Sequence, residues 1–128
     1  MADLKINIDK EKDLTTINVT GTVTADDITN AITNFYKNPT QFALFDVDNC
    51  QLSELSAVDL EKATKLISQV KIHQSKGKTA FVMPKDDFSL GVLFEGLTKI
   101  ENLPREYRSF TSHEEAERWL EQHCRASL

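Results

Sequence analysis

The spacing of apolar residues along this chain switches repeatedly between a period of two and a period between three and four, and that alternation restricts the fold more than any other feature. Leu4, Ile6 and Ile8 alternate with Lys5 and Asn7, and Ile17 and Val19 resume the pattern toward Gly21 after the polar stretch Lys10 to Asp13. This predicts an N-terminal β-hairpin with one buried face. Thr24, with Asp27 three residues on, can cap a helix over 24–37 that places Ile28, Ala31, Ile32 and Phe35 on one side and stops before Pro39. Phe42 to Val47 is an almost unbroken apolar run, as expected of a central strand covered on both faces, with Asp46 and Asp48 opening an acidic loop at its carboxyl end.

Ser56 and Asp59 can open a second helix whose inner stripe is Leu60, Ala63, Leu66, Ile67 and Val70. Gly77 frees the chain for a short strand over Thr79 to Met83, and Pro84 stops it. Asp86 or Asp87 can begin a third helix with Leu90, Leu93, Phe94, Leu97 and Ile100 inward, ended by Pro104. Arg105 to Phe110 suits an edge strand, and Ser112 with Glu115 forms a capping box before a last helix carrying Ala116, Trp119, Leu120 and His123, with Trp119 inward. The order is ββαβαβαβα. Short right-handed crossovers make the strands that follow helices parallel, giving an α/β fold: one mixed β-sheet with an N-terminal hairpin, packed by four helices. At 128 residues, with no internal repeat and no Pro/Gly/Ser-rich linker, residues 1–128 make a single domain.

Charge narrows the partners. Fifteen Lys and Arg against 20 Asp and Glu give a net charge of -5, and the pI near 5.2 is on the wrong side for neutralising phosphates along a nucleic acid. An acidic surface also repels anionic membranes, and no apolar run approaches the roughly 20 residues of a membrane span. Met1 to Lys5 lacks the basic-then-apolar pattern of a secretory signal. Cys50 and Cys124 form no disulfide framework and read as reduced thiols, so the expected location is cytoplasmic. Asn18-Val19-Thr20 matches a glycosylation acceptor by accident, because it falls within a strand.

Few residues suggest chemistry. Ala43-Leu44-Phe45 followed by Asp46-Val47-Asp48-Asn49-Cys50 resembles the first motif of haloacid-dehalogenase-type phosphatases, with Asp46 as nucleophile and Asp48 as acid, although Asn49-Cys50 replaces the usual Gly-Thr. The preferred reading of these carboxylates is ordinary loop formation. Gly91 and Gly96 outline a phosphate loop, but Leu97 holds the lysine position and no strand leads into Gly91, so both glycines are expected to allow close helix packing. His73, His113 and His123 lack metal-ligand spacing; His113 should be a solvated residue of the last helix and His123 an interior one. Cys50 has no neighbouring base to activate it. No metal or cofactor is expected. Phe88 and Val92 fall off the inner stripe of the third helix, so Phe88, Leu90, Val92 and Phe94 are candidates for a homodimer contact or the border of an apolar ligand pocket.

The element order, Gly21-Thr22-Val23-Thr24 closing the second strand, the strands Ala43 to Asp46 and Lys78 to Val82, and the ending Phe110-Thr111-Ser112-His113-Glu114-Glu115-Ala116-Glu117-Arg118-Trp119-Leu120 look like the SpoIIAA-like branch of the STAS-like superfamily. The resemblance spans nearly the whole chain and implies that fold. In STAS regulators a serine at the start of the helix after the central strand accepts phosphate from a partner kinase. Glu54-Leu55-Ser56-Ala57-Val58 occupies the similar place, which makes Ser56 a candidate phosphosite, although Leu55 stands where a second serine is usual; the same residue serves equally as a helix cap. The resemblance implies a non-enzymatic bacterial protein-interaction or regulatory module. The superfamily also holds lipid-pocket domains, so a carrier of a small apolar or lipid-like ligand between helices two and three and the sheet is the alternative, with an Asp46-dependent phosphatase third.

Overall fold

A computed structural model describes residues 2–37, 40–69, 77–103 and 105–126. Val70, His73 and Pro104, and the side chains of His123 and Cys124, lie outside the described residues. In chain order the elements are β1 (Asp3–Asp9), β2 (Leu14–Thr22), α1 (Ala25–Lys37), β3 (Phe42–Gln51), α2 (Ala57–Gln69), β4 (Lys78–Val82), a 3₁₀ turn (Lys85–Asp87), α3 (Phe88–Ile100), β5 (Glu106–Phe110) and α4 (His113–Ala126). The fold is α/β, with four α-helices on a five-stranded mixed sheet of order β1-β2-β3-β4-β5. Among the described residues only the β1–β2 pair is antiparallel.

Because the strands advance one place at a time in one direction, successive right-handed crossovers lay α1, α2 and α3 on the same face of the sheet. α4 packs on the other face, against Phe42, Leu44, Val82 and Phe110. Side-chain alternation in β3 fits this division. Phe42 and Leu44 pack with Ala80, Val82, Phe110, Ala116 and Leu120 beneath α4, whereas Ala43 and Phe45 face the three-helix side with Ile32, Phe35, Leu60, Ile67, Phe94 and Tyr107. Trp119 is half-buried on the α4 side, its ring 5.7 Å from that of Phe110, with the Lys78 ammonium over its face.

The sequence pattern misplaces several features. β3 does not end at Val47: it continues to Gln51, so Asp46 and Asp48 lie in a strand and not in an acidic loop. The β2–β3 register shifts between Asn18 and Thr20, where two β3 residues face Val19 alone. This bulge changes the alternation, so that Val47 and Cys50 both join the three-helix side. The hairpin does not bury one whole face, since Ile6 and Ile8 are 51% and 50% exposed. On α3 the inward residues are Gly91, Phe94 and Thr98; Leu93 turns outward and Ile100 is 78% exposed. Asn102, at φ 56°, ends this helix: its N–H donates to the Lys99 carbonyl and the Leu103 N–H donates to that of Thr98.

Candidate functional site

The three-helix face does not close completely. Between α1, α2, α3 and the sheet lies a cavity of about 140 Å³, lined almost entirely by hydrocarbon. Its floor is aromatic: Phe45 and Phe81 are 5.6 Å apart on adjacent strands, Phe81 stacks on Tyr107 at 6.2 Å, and Phe94 meets Phe81 edge-on at 5.2 Å. Ile28, Ala31 and Ile32 of α1 and Leu60 and Ile67 of α2 form the walls. The expected pocket between helices two and three therefore also has α1 as a wall. Half-buried Leu4, Ile28, Val47, Leu55 and Leu90 surround the end nearest the carboxyl ends of the parallel strands, the usual place for a ligand crevice in such sheets.

Among the described residues the lining carries one carboxylate, Asp27, and its position is fixed locally. Asp27 Oδ2 accepts the Thr24 N–H at 2.9 Å, the Thr24 hydroxyl at 3.0 Å and the Ala2 N–H at 3.4 Å, while its own N–H donates to Thr24 Oγ1 at 3.3 Å. This is the capping box expected of Thr24-x-x-Asp27. The Thr24 backbone N–H holds the Asp27 carboxyl below its ordinary value of 3.8, against the opposing effect of burial.

Of the third-helix candidates, Phe94 is buried on the cavity floor, Leu90 is half-buried at its edge, and half-buried Phe88 packs beside Val19, Val23 and Met83. Val92 is 50% exposed and points away from all three. Four residues from one helix thus divide between an inner border and an outer surface.

On the opposite face, Asp46 meets a residue the sequence left in solvent. His113 is no freely solvated side chain: Nδ1 lies 2.8 Å from Asp46 Oδ2 and Nε2 lies 2.6 Å from Glu117 Oε1. Asp46 Oδ1 accepts the Asp48 N–H at 3.1 Å. Both oxygens proposed for attack on phosphate are thus engaged, and the two carboxylates flank the imidazole from opposite sides without converging. Among the described residues no three His, Cys, Asp or Glu side chains are arranged to hold a metal ion. The trio joins the first turn of α4 to β3.

Ser56 is exposed and caps α2. Its N–H and hydroxyl donate to Asp59 Oδ2 at 3.0 and 3.1 Å, and the Asp59 N–H donates to Ser56 Oγ at 3.3 Å. Phosphate on that oxygen would remove a donor and place a second negative group beside Asp59. Cys50 is buried with its thiol directed at the Val19 carbonyl, 3.0 Å away. Burial, then Asp46 and Asp27, push this thiol up to about 11, which disfavours the nucleophilic thiolate.

One strongly bonded residue gives no signal in the sequence. Arg105 is 4% exposed; its guanidinium donates to the carbonyls of Thr40, Gln41 and Lys78 at 2.8, 2.8 and 3.2 Å and to Thr79 Oγ1 at 3.1 Å. It ties together the starts of β3 and β4 through acceptors 26 to 65 positions away. No local spacing can reveal such a clasp.

A mixed sheet with three helices on one face and one on the other, holding an apolar cavity, defines the class as a small α/β domain. The chain is similar to an uncharacterised protein of the DUF3478 family with a SpoIIAA-like fold from Shewanella loihica PV-4, with 18% identity, 93% of each chain covered and a TM-score of 0.48. No protein-family model matches the sequence, and no curated protein matches it. No helix among the described residues is long and apolar enough to cross a membrane.

Proposed function

We propose that this protein binds a small, uncharged, apolar molecule in the cavity beneath α1, α2 and α3. The observation that carries this reading is the cavity volume. Native interiors are packed as densely as organic crystals, and a sealed apolar void costs about 24 cal/mol per Å³, so about 3 kcal/mol is the upper bound for leaving these 140 Å³, which open at one end, unfilled. A cavity of roughly 150 Å³ lined by aliphatic and aromatic side chains accepts benzene while excluding water. The ligand class is therefore a single ring or a short acyl chain. A charged group would have to remain at the mouth, because the Asp27 carboxylate there already holds three donors and the deeper walls are hydrocarbon. The Asp46 phosphatase reading has less support, because His113 and Asp48 hold both carboxylate oxygens.

Toluene and 1-hexanol are suitable probes. Either should raise the melting temperature saturably, by about 4 °C at ten times Kd for a domain of this size, and shift methyl NMR signals of Ile28, Ile32, Leu60 and Ile67. Ala31→Phe places a ring in the cavity and should abolish the probe-induced shift. Unchanged methyl signals in the native protein, or an undiminished shift in Ala31→Phe, would reject the reading.

A further inference from the structure

We infer that the protein forms a dimer with a second copy of itself by pairing β1 with β1 antiparallel across a two-fold axis at Asn7, joining two five-stranded sheets into one. The sheet has two edges, and they are finished differently. β5 has five residues. β1 has seven, pairs with β2 without a register shift, and carries no Pro and no bulge; the one protective device it has is edge charge, Lys5 with Asp3 and Asp9, which blocks pairing only where like charges would meet. Ile6 and Ile8 project from this edge on one face, about half exposed, opposite Ile17 and Thr15 of β2.

The occupant follows from the charge pattern. An antiparallel copy centred on Asn7 places Ile6 against Ile8 of the second copy on one face and Lys5 against its Asp9 on the other, each pair occurring twice by symmetry. Asp9 uses Oδ1 to accept the N–H groups of Glu11 and Lys12, which leaves Oδ2 to meet the lysine. A two-fold axis at Ile6 would instead oppose Asp3 to Asp9, a like-charge pair. The register at Asn7 also brings Asp3 opposite Glu11, but Glu11 lies in the turn beyond β1, so that within the strand apolar meets apolar and cation meets anion. The paired residues Lys5 to Asp9 do not line the cavity, although Leu4 of the same strand does.

Analytical ultracentrifugation of the full chain should show a concentration-dependent monomer–dimer equilibrium. Lys5→Glu, which opposes an acid to Asp9 twice, should weaken it about tenfold while circular dichroism remains that of the native fold. Register is read by cross-linking in a Cys124→Ser background: Asn7→Cys faces itself across the axis and should form an intermolecular disulfide readily, whereas Lys5→Cys should not. The inference is overturned by a monomer at every concentration, by a dimer indifferent to Lys5→Glu, which would direct attention to Val92, Leu93 and Ile100 of α3, or by equal cross-linking of the two cysteine variants.

Discussion

Gly91 and Gly96 lie five residues apart on one helix and have opposite surroundings. A Cβ at Gly91 would stand 2.4 Å from the Ser109 hydroxyl and 2.8 Å from its Cβ, while one at Gly96 would meet nothing within 4 Å. The expectation that both glycines permit close packing therefore holds only for Gly91. Gly96→Ala should stabilise the protein by about 0.5–1 kcal/mol through helix propensity, and Gly91→Ala should cost about 1–3 kcal/mol by forcing α3 off β5; the urea midpoints of the two variants should move in opposite directions. Asp27 yields a pH prediction. Its folded-state pKa is depressed, so its contribution to stability is fully present above the unfolded value, near 3.8, and is lost as pH falls through the lower folded value. Asp27→Asn should flatten the acid limb of a stability–pH curve and leave its slope near neutrality unchanged. The capping boxes of Thr24 and Ser56 were legible because both partners lie within four residues. Ser109, which determines what Gly91 is for, is 18 positions away and gives no local sign.

Among the elements, β3 and α3 depart most from their sequence patterns. Polar residues after Val47 look like a turn, yet β3 continues because β2 keeps pairing with it through Gln51, while β4 stops opposite Asp46. α3 is apolar around much of its circumference, so periodicity cannot select a face. The face carrying Gly91 went inward, where a Cβ would stand 2.4 Å from the Ser109 hydroxyl and hold the helix off the sheet, while Gly96 lies on an outer face where nothing is close. The first turn of α4 is held by His113 between Asp46 and Glu117. His113→Ala should cost about 1 kcal/mol, modest because the ring is partly exposed, and should speed amide exchange in that turn and around Asp48 while leaving the α2 core unchanged.

For the whole molecule, the distribution of helices has a direct energetic consequence. Three helices share one face of a twisted sheet, and their combined apolar stripes leave a gap of about 140 Å³; α4, alone on the other face, closes around Phe42, Leu44, Val82 and Phe110. A binding function and a dimer edge occupy different parts of this architecture, so the thermal shift with toluene should survive Lys5→Glu, and the mass of Ala31→Phe should follow that of the native chain. The order of elements, the parallel strands, the capping boxes and the exclusion of a membrane-spanning helix were all contained in the sequence, because each depends on periodicity, charge or contacts a few residues apart. The bulge in β3, the inward face of α3, the Arg105 clasp, the link from Asp46 to His113 and the cavity itself were decided only by the tertiary structure, because each requires groups distant in the chain to meet, and spacing along a sequence carries no record of those distances.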